Sequence, residues 1–352
     1  MRVLLIKTSS MGDVIHTLPA LTDAARAIPG IRFDWVVEEG FAEIPRWHPA
    51  VEQVIPVAIR RWRKHPLTTW RSGEWAAFKR RLQGTPYDLV IDAQGLLKSA
   101  WLTRYVKAPV AGLDRASARE PIASRFYDRP QAVPWGQHAV QRVRQLFAGA
   151  LGYPPPPEQG SYGLDRRQLA AAESGNYLVF LHGTTWTTKH WPELYWRQLA
   201  ELALAQGWQV RLPWGSQAEQ ARAERIATGL PGVEVLPRLN LAGVAGVLAG
   251  ARACVAVDTG LGHLAAALDV PTLSLFGPTN PGWTGAWGAA QQHLASDFAC
   301  APCLKKTCNY QPSEEERGRF DLQREQPLCF TRLAPPRVLE ALQTLLTATE
   351  TR

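Results

Sequence analysis

No stretch of the 352 residues approaches the roughly 18 uninterrupted apolar residues of a membrane span, so a chain threaded through a bilayer by a helix is not expected. The N-terminus, MRVLLIK, closes at Lys7 without a long apolar core or a small-residue cleavage site. It reads as a first core strand and not as a secretion signal, which implies a cytoplasmic protein. Cysteines are few and odd in number, five in all, which fits a reducing compartment better than a disulfide framework. The loop after the first apolar run lacks G-x-G-x-x-G, so a dinucleotide cofactor is not expected. D-x-D occurs nowhere, which removes the usual carboxylate pair for a Mg2+ or Mn2+ bridge to a diphosphate. Neither a metal nor another cofactor is therefore expected. No internal repeat with a period of roughly 20 to 50 residues is visible.

What is present is an alternation. Apolar runs at Val3 to Ile6, Phe33 to Val37, Leu89 to Ile91 and Val110 to Leu113 are separated by helix-like stretches. A second series follows at Tyr177 to Leu181, Trp208 to Leu212, Val233 to Leu236, Cys254 to Val257 and Thr272 to Phe276. Such alternation predicts parallel sheets with helices on both faces, and the stiff run Pro154 to Pro157 suits a linker. The fold class is thus α/β, with two doubly wound Rossmann-like domains facing across a cleft. The expected bounds are residues 1–165, residues 166–330, and a closing helix over residues 331–352 that packs back on the first domain. With 39 Lys and Arg against 31 Asp and Glu, net +8, the chain favours anionic partners.

Ligands of doubly wound sheets bind at the carboxyl ends of the strands, so the loops there are the candidates. The stretch Val255 to Gly285 reads as strand, glycine loop, helix and strand, with Asp258-Thr259-Gly260 at the turn and His263 in the helix. A helix N-terminus of this kind can hold a phosphate or diphosphate; it can equally be a capped helix start beside a packed histidine. The loop from His182 to Pro192 offers Thr184, Thr185 and Lys189, either as diphosphate partners or as a solvated polar turn. Glu219, after Leu212-Pro213-Trp214-Gly215-Ser216, can satisfy the helix dipole or accept from two ribose hydroxyls. Asp13, in the loop after the first strand, is a first-turn acid that can also serve as a general base.

Residues 1 to about 348 resemble the bacterial lipopolysaccharide heptosyltransferases, glycosyltransferase family 9 of the GT-B class, and within it most closely the heptosyltransferase I branch. The resemblance rests on KTSSMGDVIHTLPAL, DAQGLLKSA, TTKHWP, LPWGS with Glu219, and VDTGLGHLAAALDVPTLSLFGPTNP. It implies inverting, metal-independent transfer of L-glycero-D-manno-heptose from ADP-L-glycero-β-D-manno-heptose to a Kdo residue of Kdo2-lipid A. The carboxylate matching Asp13 is the expected base. Lys189 would stabilise the leaving group, and Thr184, Thr185, Lys189, Glu219, Asp258, Thr259, Gly260 and His263 would surround the ADP-sugar in the second domain.

Acceptor binding would fall to the basic first domain, through Arg60, Arg61, Arg63, Lys64, Lys98, Arg119, His138 and Arg142. Arg suits bidentate contacts with carboxylates and phosphates, and the same cations suit an anionic inner-membrane surface, so peripheral association on the cytoplasmic face is expected. Nucleic acid is not an expected partner. Cys300, Cys303, Cys308 and Cys329 form a C-x2-C-x4-C-x20-C pattern that departs from the closest branch; free thiols fit it better than zinc, since the second pair lacks the usual short spacing. The cysteines leave heptosyltransferase II as an alternative, and Arg115 to Tyr127 favours the first branch. A nucleotide-sugar epimerase on the same two-domain plan, or a two-lobed sugar-binding protein, would need no acceptor.

Overall fold

The computed structural model describes residues 1–169 and 175–351. The chain divides into two compact units, Met1–Leu164 and Asp165–Arg352. In the first, β1 (Arg2–Ile6), β2 (Arg32–Glu38), β3 (Val51–Val57), β4 (Leu89–Asp92), β5 (Val110–Leu113) and β6 (Arg129–Gln131) form one sheet in the order β3-β2-β1-β4-β5-β6. In the second, β7 (Tyr177–Leu181), β8 (Gln209–Leu212), β9 (Val233–Val235), β10 (Ala253–Val257), β11 (Thr272–Phe276) and β12 (Gln291–Ala295) run β12-β11-β10-β7-β8-β9. Every pairing is parallel. Each unit is therefore a doubly wound, Rossmann-like α/β domain, as the alternation of runs predicts.

The strand sequences explain this topology. YLVFL, ACVAV and TLSLF are buried along their whole length, as strands covered by helices on both faces must be. Chain order reverses between β1 and β4 and again between β7 and β10. At such a switch point neighbouring loops diverge to opposite faces and leave a crevice at the carboxyl ends. In the first domain the helix Leu18–Ala27 packs on Ala139–Leu151 through a buried pair, with Arg144 Nε 2.5 Å from Asp23 Oδ2.

The closing helix, Pro335–Glu350, packs within the second domain. Its apolar stripe, Val338, Leu342, Leu345 and Leu346, lies in one core cluster with Trp196, Leu199 and Ala203 of the helix Glu193–Ala205. Trp191 Nε1 donates to the Leu333 carbonyl at 3.0 Å and fixes the entry; Arg252 closes on Glu350 at 2.6 Å. Helical periodicity announces an apolar face but does not name the surface it covers.

Leu342 is fully buried in this seam. Leu342→Ala should cost about 2–5 kcal/mol of stability, the loss of transfer energy plus a cavity. Urea denaturation followed by circular dichroism reads this directly; a change below about 0.5 kcal/mol, the level of an exposed substitution, would show that the helix does not carry its stripe in that core.

Candidate active site

In the second domain three loops meet on Asp258. The residue directly follows β10, and Thr259 then caps the helix Gly260–Ala267 by position, without a side-chain cap bond. The first amides of that helix are thus not satisfied by the Thr259 hydroxyl, which leaves them suited to an anion. Lys189 arrives from the loop after β7 on a single 3-10 turn, and its Nζ stands 2.6 Å from Asp258 Oδ2. Thr279, after β11, donates to the same oxygen at 2.7 Å. Thr184 donates to the Asp258 carbonyl at 3.0 Å. Lys189 also lies 4.5 Å from the centre of the Trp186 ring, and Lys306 approaches the same ring at 5.6 Å.

Glu219 does two jobs. It is the third residue of the helix Gln217–Ala227, and its Oε2 accepts from the Gly215 and Ser216 amides at 2.8 and 3.1 Å in a capping box. The capping expected of an acid there is therefore real. Its other oxygen, Oε1, would lie only 2.5 Å from a Cβ built on Gly183, so the carboxylate packs closely against the bare backbone after β7. Thr185 is exposed in the same loop, while Thr187 and Thr188 are turned to the carbonyls of Lys306 and Lys305. His263 is buried in the helix Gly260–Ala267. Behind the loop, Arg225 grips Glu193 at 2.7 and 2.8 Å, and Arg222 bonds to His190. His182, completely buried at the end of β7, has its pKa lowered to about 4, chiefly by burial.

In the first domain the loops after the adjacent strands β1 and β4 carry the other group. Asp13 is the third residue of the short helix Met11–Ile15; its Oδ2 accepts from the Ser10 amide at 2.8 Å and the Ser10 hydroxyl at 2.7 Å. The Gln94 Oε1 accepts from the Thr8 and Ser9 amides at 3.0 and 3.2 Å, tying one loop to the other. Beneath them Lys7 Nζ donates to the Ala93 carbonyl at 2.9 Å. Burial lowers the Lys7 pKa, Asp13 and Asp92 oppose that, and Arg142 and Arg119 add to it, so five charges share one sheet edge. Lys98 reaches the Ser9 hydroxyl at 3.3 Å.

The basic residues expected to act together separate into groups. Lys98, Arg119 and Arg142 gather near the Asp13 loop. Arg142 stacks on Trp135 at 3.8 Å and donates to the Ser117 carbonyl at 2.7 Å. His138 is buried as the cap of Ala139–Leu151, its Nδ1 accepting from the Val140 amide. Arg60, Arg61, Arg63 and Lys64 sit on a separate helix, Ile59–Lys64, after the edge strand β3. Arg61 is bound there to Glu39 and Glu74 at 3.1 and 2.9 Å. Sequence reasoning missed Trp186, Thr279 and Gln94. Thr279 sat inside a motif already singled out, and Trp186 interrupts a threonine run, but only the fold brings them to Asp258 and Lys189. Among the described residues no group of three or more His, Cys, Asp and Glu is arranged to hold a metal ion, and all five cysteines are free thiols.

Residues 75–314 match glycosyltransferase family 9 (heptosyltransferase). The chain is 75% identical to lipopolysaccharide heptosyltransferase 1 of Pseudomonas aeruginosa, over 100% of this chain and 99% of that one. Among solved structures, Escherichia coli heptosyltransferase WaaC with ADP superposes with a TM-score of 0.82 at 55% identity, covering 84% of this chain and 93% of the other. WaaC with ADP-2-deoxy-2-fluoro heptose gives 0.79 at 52% identity, over 86% and 97%.

The buried imidazoles generate a pH prediction. His48 and His182 both have pKa values lowered to about 4, so the folded chain binds fewer protons than the unfolded one between there and the ordinary value near 6.5. Stability is full above about 6.5 and falls on acidification towards 4, by up to about 1.4 kcal/mol per pH unit for each ring. Denaturation from pH 7 to 4.5 should show a shallower slope for His182→Asn, by about one proton; an unchanged slope would mean that this ring is not held neutral.

Proposed function

Because the chain belongs to glycosyltransferase family 9, the heptosyltransferases, we propose that it transfers L-glycero-D-manno-heptose, with inversion and without a metal, from ADP-heptose to a Kdo residue of Kdo2-lipid A. It is a glycosyltransferase with heptosyltransferase I activity in lipopolysaccharide core synthesis. The finer reading is carried by the Lys189–Asp258 pair beside the start of the helix Gly260–Ala267. An ammonium held among carboxylate, hydroxyl and amide groups is what a departing diphosphate needs as it gains charge.

In this reading the diphosphate lies on Lys189 and the Thr259 and Gly260 amides, with Thr184 and Thr185 alongside. Glu219 accepts from the ribose hydroxyls, and Asp258 and His263 shape the wall behind them. One inverting displacement needs a single base and no enzyme nucleophile. Asp13 takes the proton of the acceptor hydroxyl while its two bonds from Ser10 hold the carboxylate in place. Lys189 occupies the role that a divalent cation bridged by acidic residues fills elsewhere. Lys98, Arg119 and Arg142 bind the Kdo carboxylates near that base. Arg60, Arg61, Arg63 and Lys64 meet phosphates of the lipid, and His138 orients the helix that carries Arg142. The acceptor being a membrane lipid, the enzyme works as a peripheral protein on the cytoplasmic face of the inner membrane.

The decisive assay supplies ADP-heptose with either Kdo2-lipid A or its heptosylated product, in EDTA, and reads product mass. Transfer to the first acceptor alone is expected; transfer only to the second would make the enzyme a heptosyltransferase II, and loss in EDTA would end the metal-independent reading. Asp13→Asn should lower kcat about 10²–10⁴-fold with ADP affinity intact. Lys189→Ala should lower kcat about 10²–10³-fold and weaken ADP as well. Near-normal turnover of Asp13→Asn would remove it as the base.

A further inference from the structure

The charge of the chain is concentrated. Residues 59–126 carry 14 Lys and Arg against five Asp and Glu, net +9, while the whole chain carries net +8. In the same stretch lie five of the large apolar side chains that the first domain leaves in solvent: Leu67 is 72% exposed, Trp70 77%, Leu97 41%, Trp101 45% and Ile122 50%. Leu67 and Trp70 belong to the short helix Pro66–Arg71, which follows Ile59–Lys64 with Pro66 at its start. Trp70 and Trp101 open onto a groove of about 890 Å³ whose other walls include Trp62, Trp75 and Phe126.

The groove is rigid beneath and charged around. Trp62, Trp75 and Phe78 pack ring against ring with centres 5.6 Å apart, and the Trp62 indole donates to Glu74 at 2.8 Å. Arg63 and Lys98 stand at its walls, and Arg104 lies 4.8 Å over the Trp101 ring. Its lining includes the acid Glu120, which accepts from the Leu97 amide at 2.7 Å, while Glu39 and Glu74 nearby are both bound to Arg61. An outward indole and leucine on a short helix, surrounded by arginines with few acids between them, match the headgroup zone of a negatively charged bilayer. Indole rings settle at that depth, while cations stay with the phosphates.

We propose that this face of the first domain, led by Leu67, Trp70 and Trp101, docks on an anionic phospholipid surface and holds the enzyme there without spanning it. It rests on the reading above that the acceptor is a membrane lipid and the enzyme a peripheral protein, and adds which face makes the contact. The test sediments the full-length protein with vesicles of phosphatidylcholine alone or mixed equally with phosphatidylglycerol. Binding to the mixed vesicles only, reversed by salt, is expected. Leu67→Ser with Trp70→Ser should reduce it at least tenfold while heptose transfer to a water-soluble, deacylated acceptor stays at the unaltered rate. Unchanged vesicle binding by that variant, or no binding by the unaltered protein, would overturn the proposal. So would normal vesicle binding with a raised KM confined to the acylated acceptor, which would assign the groove to acyl chains. Failure of transfer to every acceptor alongside the expected vesicle behaviour would strike the function and uphold the surface.

Discussion

The second domain is organised around one contact, the ammonium of Lys189 against the carboxylate of Asp258 at 2.6 Å. Both side chains are largely withdrawn from water, at 16% and 9% exposure, and neither charge is tolerable there alone. The contact also fixes geometry. Lys189 draws in the loop after β7, Asp258 stands directly after β10, and Thr279 brings the loop after β11 to the same oxygen. Three segments far apart in sequence converge because a charge has to be satisfied. A pair of this kind can also exchange partners: a diphosphate laid beside Lys189 offers the ammonium a second anion while Asp258 keeps the Thr279 hydroxyl.

The first domain solves the same problem with different residues. Lys7 is buried at the end of β1 with its ammonium on a carbonyl, and Asp92 is buried at the end of β4 among donors from Ser99, Tyr127 and the Gln94 amide. Burial works against the charged form of each, lowering the Lys7 pKa and raising that of Asp92, while each stabilises the other's charge. Gln94 then joins the two loops through its side-chain oxygen. Both domains thus place buried charge at the point where strand order reverses, the one edge of a parallel sheet where loops leave room for it.

How much of this was legible follows from what each signal measures. Continuous apolar runs such as YLVFL and ACVAV disclose strands buried on both faces, and their alternation with helices dictates parallel pairing, so the α/β class and the two sheets could be read directly. The expected division at residue 165 rested on the stiff run Pro154 to Pro157 and the second series of apolar runs that starts at Tyr177. Val338, Leu342, Leu345 and Leu346 describe an apolar stripe, but the sequence does not say that Trp196, Leu199 and Ala203 share its core. Sequence named Asp258 and Lys189 as neighbours of one site but could not foresee their direct contact, which depends on how tightly a 3-10 turn folds. Arg61 and His138 looked like free cations for the opposite reason: their partners, Glu39, Glu74 and the Val140 amide, become neighbours only through local folding. Trp186 and Thr279 carry no charge pattern to mark them.

The uneven distribution of charge has a consequence beyond any single contact. With net +9 in residues 59–126 and net +8 overall, the remaining residues sum to about neutral. Such a molecule experiences a torque as well as an attraction near a negative surface. Within a screening length of about 8 Å at physiological salt, the basic stretch is drawn forward while the rest feels little pull. Encounters are thereby biased in orientation before atoms touch, so a larger fraction of collisions begins with the correct side leading, and this bias weakens as ionic strength rises.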